Sequence, residues 1–161
     1  MKNPVETLTR FTVRDVMRAD VVTVRVTDTM GHAASVLNSY GITGAPVVDD
    51  AGVCVGVLSS SDFVIREIAS AGIPTAASLA FEAMTIKNSF APPEAIEGNL
   101  VEAYMTTDVH TIAADAPMLR AARLLCEERI HRLVVVDPTG RPVGIVSSLD
   151  MVACMVVAIE E

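Results

Sequence analysis

The chain has 161 residues, a formal net charge of −8 and a hydrophobic fraction of 51%, enough to bury a sizeable core and far from the profile of a disordered segment. The acidic balance argues against a general nucleic-acid surface, which needs a basic stripe, and no aromatic and basic residues interleave as single-strand binders require. Aromatics are only 4%, so the core must be built from Val, Ile, Leu, Ala and Met.

The opening residues, MKNPVETLTRF, lack the apolar stretch of a signal peptide. Residues 21–26 (VVTVRV) are β-rich and read as a strand. Thr27 or Asp28 then caps a helix in which Met30, Ala33, Ala34 and Leu37 recur at helical spacing, and Gly41 ends it. Residues 45–48 (APVV) form a short buried strand, 49–52 (DDAG) a hairpin turn and 53–58 (VCVGVL) the returning strand. Ser59 or Ser60 opens a helix running to about residue 69.

Residues 70–99 separate two similar halves. Residues 75–84 suit a short helix, and 87–99, rich in Pro, Gly and polar residues, read as loop. A connection of this length is unusual and either covers a cleft or runs over the surface. The second half then repeats each step: a strand at 109–113, a helix with Asp115 as cap, Pro117 in its first turn and Met118, Ala121, Ala122 and Leu125 on its buried face, a strand at 133–136, a DPTG turn, a strand at 143–146 and a final helix to about residue 159. The apolar run at 151–159 is about half of a membrane-spanning helix and reads as buried.

The halves are a repeat. VGVLSSSDFV at 55–64 returns as VGIVSSLDMV at 143–152, a shift of 88 residues from Asp62 to Asp150 that holds without a gap back to Val13 and Val101, with about 20 of about 52 positions identical. The fold class expected is α+β (α/β), with two β-α-β-β-α repeats at 12–69 and 100–160 and a linker at 70–99. Three-stranded units are marginal alone, so the halves should pack together.

The strongest chemical signal is Ser-x-x-Asp at each strand-to-helix junction, Ser59 to Asp62 and Ser147 to Asp150. It is either a helix capping box or a binding element whose carboxylate accepts from vicinal hydroxyls, and both roles can coexist. Gly56 and Gly144, three residues before each Ser, either let a ligand approach the strand or serve packing. RIHRL at 129–133 sets three candidate cations within four residues; Arg and His suit phosphate contact, while the plainer reading is a solvated patch paired with Glu127 or Glu128. The matching GITGA at 41–45 is uncharged. Thr23 and Thr111 match in position, and β propensity alone explains them.

Cys54, Cys126 and Cys154 are odd in number and without CxxC spacing, which favours free buried thiols in a reducing compartment, the cytoplasm. His32 and His110 lack partners at metal-ligand spacing, so no metal is assigned. No nucleophile elbow, Walker loop or Rossmann glycine pattern occurs, so an enzyme is not expected.

The segments VRDVMRADVVTVRVTDT, YGITGAPVVDDAGVCVGVLSSSDFV, VEAYMTTDVHTIAADAP and ERIHRLVVVDPTGRPVGIVSSLDMV resemble tandem CBS domains, the pair called a Bateman module. The resemblance covers roughly residues 12–69 and 100–160. It implies a pseudo-twofold pair of repeats with two clefts that take an adenosine-containing ligand (AMP, ADP, ATP or S-adenosylmethionine), no required cofactor and no catalysis. By family pattern Asp62 and Asp150 would take ribose hydroxyls, with Ser59 and Ser147 near ribose or phosphate. Thr23, Ile42 and Ala45 would line one base pocket, and Thr111, Ile130 and Leu133 the other. His131 and Arg132 resemble a phosphate-contacting pair, for which the first repeat has Thr43 and Gly44. The resemblance further implies a homodimer and an effector protein on another chain, with neither nucleic acid nor membrane as partner. The function expected is a stand-alone energy or metabolite sensor; the alternative is a ligand-free dimerisation or interaction module.

Overall fold

The computed structural model describes residues 8–64 and 99–160. The elements follow the repeat: α1 (Val13–Val16), β1 (Val24–Arg25), α2 (Met30–Ser39), β2 (Gly44–Val48), β3 (Cys54–Ser59), a 3-10 turn (Val101–Ala103), β4 (Thr111–Ala113), α3 (Met118–Glu127), β5 (Arg132–Val136), β6 (Pro142–Ser147) and α4 (Ser148–Glu160). A helix also opens at residues 60–64. Its end and the helix expected at 75–84 lie outside the described residues.

Each repeat builds a three-stranded mixed sheet, β1-β2-β3 and β4-β5-β6. In the second, β4 runs parallel to β5 with Thr111 opposite Val134, and β6 returns antiparallel with Arg132 opposite Ser147 and Val134 opposite Ile145. In the first, β1 runs parallel to β2 with Val24 opposite Val47. The apolar helix faces cover these sheets: Met30, Ala33 and Leu37 on α2, and Met118, Ala121 and Leu125 on α3, all buried. Ala34 and Ala122, expected beside them, pack at the margins of the same cores.

The chain forms two compact units that do not coincide with the two repeats. Among the described residues one, here the Asp150 unit, takes 8–21, Gly52–Cys54 and 109–160; the other, the Asp62 unit, takes Val22–Ala51, 55–64 and 99–108. The leading segment of each repeat is therefore folded into the other repeat's unit. Val13 is fully buried among Ile112, Leu133 and Met151, while Val101, its match 88 residues on, is fully buried among Val24, Leu37 and Leu58. The backbone repeats the exchange bond for bond. Arg18 and Ile145 form a two-bond bridge (2.9 Å each way), as do Thr106 and Val57 (2.9 Å each way).

This exchange corrects the expected helix starts. The first N–H of α2, on Met30, donates to the Asn99 carbonyl (2.7 Å), and that of α3, on Met118, to the Phe11 carbonyl (2.9 Å). The leading segments thus satisfy helix ends that sequence reasoning assigned to side-chain caps. Thr29, rather than Thr27 or Asp28, caps α2 by accepting from the His32 N–H (3.1 Å), while the Asp28 carboxylate accepts from the Arg25 N–H (2.8 Å). Pro117 is the N-cap residue of α3 rather than part of its first turn, and Asp115 stands exposed outside the helix.

Both helices end in the same turn. The Gly41 and Ile42 N–H groups donate to the carbonyls of Asn38 and Leu37, and those of Arg129 and Ile130 to Cys126 and Leu125. Gly41 adopts the left-handed conformation this requires (φ 61°), and so does Arg129 (φ 53°), which alone among the described non-glycine residues has positive φ. The cysteines carry no disulfide; Cys154 is buried, but Cys126 is exposed and Cys54 half-buried, so the expectation of three buried thiols holds for one. No helix among the described residues is long and apolar enough to cross a membrane.

Candidate functional site

The Ser-x-x-Asp elements sit where β3 and β6 turn into helix. Ser147 donates both its N–H (2.8 Å) and its hydroxyl (2.5 Å) to Oδ2 of Asp150, and the Asp150 N–H returns a longer bond to the Ser147 hydroxyl (3.3 Å). That is a complete capping box. Ser59 clasps Asp62 in the same way through N–H (2.7 Å) and hydroxyl (2.9 Å), with the Ser61 hydroxyl 2.7 Å from that of Ser59. In both boxes Oδ2 takes the cap bonds and Oδ1 is left for another donor.

Thr12 makes the same two-bond clasp on Asp15 (2.8 and 2.7 Å), which isolates the effect of burial. Exposed Asp15 has its carboxyl held below the ordinary 3.8 by the Thr12 bonds. At half-buried Asp62 desolvation wins over the Ser59 bonds and pushes the carboxyl above 3.8. A donor arriving at Asp62 would therefore relieve a carboxylate that the fold keeps short of solvation.

Strand pairing gathers the other expected residues. In the Asp150 unit the Ser148 N–H donates to the His131 carbonyl (3.0 Å), tying the 129–133 loop to the start of α4. Arg132 lies opposite Ser147 on β5–β6, and Thr111 lies opposite Val134 at the neighbouring position. Thr111, His131 and Arg132 are exposed, and Ile130 is half-buried. The carboxylate of Glu128 lies 4.0 Å from His110 Nε2. In the Asp62 unit the matching bond runs from Ser60 N–H to the Thr43 carbonyl (2.9 Å). There Gly44 lies against Ser59: a Cβ at Gly44 would come 3.5 Å from the Ser59 Cα and Cβ. Thr23 is exposed just ahead of β1, and Ile42 is half-buried. Thr23, Ile42, Ser59 and Asp62 thus belong to one unit, and Thr111, Ile130, His131, Arg132, Ser147 and Asp150 to the other.

Two expected lining residues are placed differently. Ala45 (4% exposed) and Leu133 (1%) point into the two cores, so their side chains fill protein rather than offer surface. The glycines before each Ser are also resolved in favour of packing. A Cβ on Gly56 would sit 2.6 Å from the Met105 sulfur, and one on Gly144 would collide with the Met17 sulfur. The space beside each strand is filled by a methionine of the leading segment, which only the folded chain reveals.

Sequence reasoning also missed Arg18. Its Nε lies 3.8 Å from Asp150 Oδ1, the oxygen that the Ser147 bonds do not use. Asp150 also borders an open pocket of about 280 Å³ lined by Phe11, Asp15, Val16, Ala153, Cys154 and Val157. Burial and the nearby Asp15 push the Cys154 thiol up, which makes it a poor nucleophile. Among the described residues no three His, Cys, Asp or Glu side chains converge to hold a metal.

The CBS domain family model matches residues 13–67 and 101–156. The chain is 30% identical over 137 residues to an inosine-5'-monophosphate dehydrogenase from Methanocaldococcus jannaschii; the match takes in 85% of this chain but only 22% of that enzyme's length. The structure of CBSX2 from Arabidopsis thaliana in complex with AMP is similar with a TM-score of 0.67 and 25% identity, over 94% of this chain and 99% of that one. The CBS domain pair of protein MJ0100, in complex with 5'-methylthioadenosine and S-adenosyl-L-methionine, is similar with a TM-score of 0.62 and 25% identity, over 89% of this chain and 98% of that one. With two matched segments in register, two three-stranded sheets and a duplicated Ser/Asp clasp, the chain belongs to the CBS domain family as a tandem pair.

Proposed function

We propose that this CBS pair is a regulatory module that binds an adenosine-containing ligand and passes its occupancy to a partner protein. The observation that carries the reading is the duplicated clasp: in each unit the Ser N–H and hydroxyl both bond one carboxylate oxygen, Oδ2, and leave Oδ1 outside the clasp. A carboxylate so held suits a pair of vicinal hydroxyls. CBSX2 with AMP and MJ0100 with 5'-methylthioadenosine and S-adenosylmethionine support an adenosine ligand. Arg132 supplies a cation, and His131 a ring N–H donor, for a phosphate on such a ligand. Asp62, Asp150, Ser59, Ser147, Thr23, Thr111, Ile42 and Ile130 are the groups assigned to ligand, with the backbone at Ala45 and Leu133 beside them. No catalytic step is assigned, and the free cysteines fit a reducing cytoplasm.

Isothermal calorimetry with AMP, ADP, ATP and S-adenosylmethionine tests this. Binding by at least one, weakened about tenfold by Asp150→Ala through loss of a charge-assisted bond, is the expected result. No binding by any at millimolar concentration overturns the reading.

A second reading, a dimerisation or interaction module without a small ligand, is favoured by α4. That helix is apolar almost all round, and Leu149 (68% exposed), Val152 (55%), Val156 (48%) and Ile159 (68%) lie on its outer side. Such a surface suits a homodimer contact or an effector protein. A nucleotide-induced rise in melting temperature would count against a ligand-free module.

A further inference from the structure

Arg18 enters the Asp150 unit from the leading segment of the other repeat. Its backbone is fixed by two 2.9 Å bonds to Ile145, two residues before Ser147 on β6. Side chains alternate along a strand, and residues directly opposite each other share a face. Ile145 and Ser147 therefore share a face. Arg18 opposite Ile145, Arg132 opposite Ser147 and Thr111 opposite Val134, itself opposite Ile145, all stand on it. Arg18 thus flanks the Ser147–Asp150 clasp from one strand edge, and Arg132 from the other.

The matching position in the Asp62 unit is Thr106, held to Val57 by the same pair of bonds. The exchange of leading segments gathers onto one clasp two differences between the repeats that lie far apart in sequence: Arg for Thr at 18 and 106, and His-Arg for Thr-Gly at 131–132 and 43–44. The Arg18 side chain is 77% exposed, so its ion pair with Asp150 contributes little to folding, and its guanidinium remains accessible to a ligand.

We propose that Arg18 is a specificity-determining residue of the Asp150 clasp, selecting an adenosine ligand that carries phosphate over one that carries none. The guanidinium lies next to the oxygen assigned to the ribose, where it can meet a phosphate borne on that sugar with charge-assisted, bidentate bonds. The inference rests on the adenosine reading above and adds to it the residue that distinguishes ligand charge.

The test is calorimetry on the full chain with adenosine, AMP and ATP, for wild type, Arg18→Thr (the residue the other repeat uses), Arg18→Lys and Thr106→Arg. The expected result is that Arg18→Thr lowers the ATP-over-adenosine preference about tenfold, with adenosine still bound. Arg18→Lys should keep much of the preference and make it more sensitive to salt, and Thr106→Arg should strengthen ATP binding at the Asp62 clasp. A preference unchanged in Arg18→Thr, with adenosine still bound, overturns the role of Arg18 and leaves the adenosine reading standing. Failure of wild type to bind adenosine, AMP and ATP overturns the role together with that reading.

Discussion

The Asp62 and Asp150 units are built from the same plan, and among their many differences one set changes the charge near the clasp. Leu37 and Leu125, Val13 and Val101, and the two Ser/Asp clasps are interchangeable in kind and in burial. The clasps' surroundings are not. The Asp150 unit places Arg18 beside its clasp and Arg132 opposite Ser147, with the His131 carbonyl bonded to the Ser148 N–H, where the matching positions of the Asp62 unit are Thr106, Gly44 and Thr43. Duplication has kept the core and the cap while the positions free of packing have diverged in charge. The fold is then common property, and the ligand each clasp takes is set locally.

Four measurements bear on how alike the two units are. The largest effect belongs to the shared core. Leu37→Ala and Leu125→Ala should each cost about 2–5 kcal/mol in urea unfolding, and by similar amounts, because both fill matched, closed cores. A large disparity would show that the units are not energetic equivalents. Next comes the exchange itself. Gly144→Ala should cost about 1–3 kcal/mol by overpacking against Met17. Most of that penalty should vanish in a Met17→Ala background; a penalty of unchanged size there would mean that something other than the exchanged methionine fills the site.

A smaller effect has the opposite sign in the two units. Arg129→Gly should stabilise the chain by about 0.5–1 kcal/mol, since a side chain at φ 53° is unfavourable, whereas Gly41→Ala should destabilise it by about 1 kcal/mol. Equal responses would remove strain as a difference between the helix ends. The smallest effect concerns Asp62. Its carboxyl is raised in the fold, so its contribution to stability is present below pH 3.8 and is lost as pH rises through the folded value. Relative to Asp62→Asn, wild type should therefore lose on the order of a degree in Tm over that interval. A wild-type advantage that grows with pH would show that the Ser59 bonds outweigh burial.

Much of this was readable without coordinates. The 88-residue repeat, the alternation of strand and helix, the buried faces Met30–Ala33–Leu37 and Met118–Ala121–Leu125, Gly41 as a helix terminator and the Ser-x-x-Asp caps follow from local rules of spacing, propensity and hydrogen bonding. The errors share one cause. Asp28 and Asp115 looked like caps because the true partners of those helix ends, the carbonyls of Asn99 and Phe11, lie 69 and 107 residues away in sequence from Met30 and Met118. Gly56 and Gly144 stayed open between ligand room and packing because Met105 and Met17 could not be placed beside them. Ala45 and Leu133 were expected as lining from the family pattern, which names positions and not which way their side chains point; here those side chains are buried in the cores.

The sequence by itself determined the architecture and the two capped carboxylates, because those depend on neighbours within a few residues and on a pattern written twice. That the leading segment of each repeat completes the other repeat's core, and hence that Arg18 reaches Asp150 while Thr106 pairs with Val57 in the Asp62 unit, follows from the folded chain alone. No local signal encodes that choice: Val13 and Val101 are equally apolar, and which core each fills is settled by the packing of the whole chain.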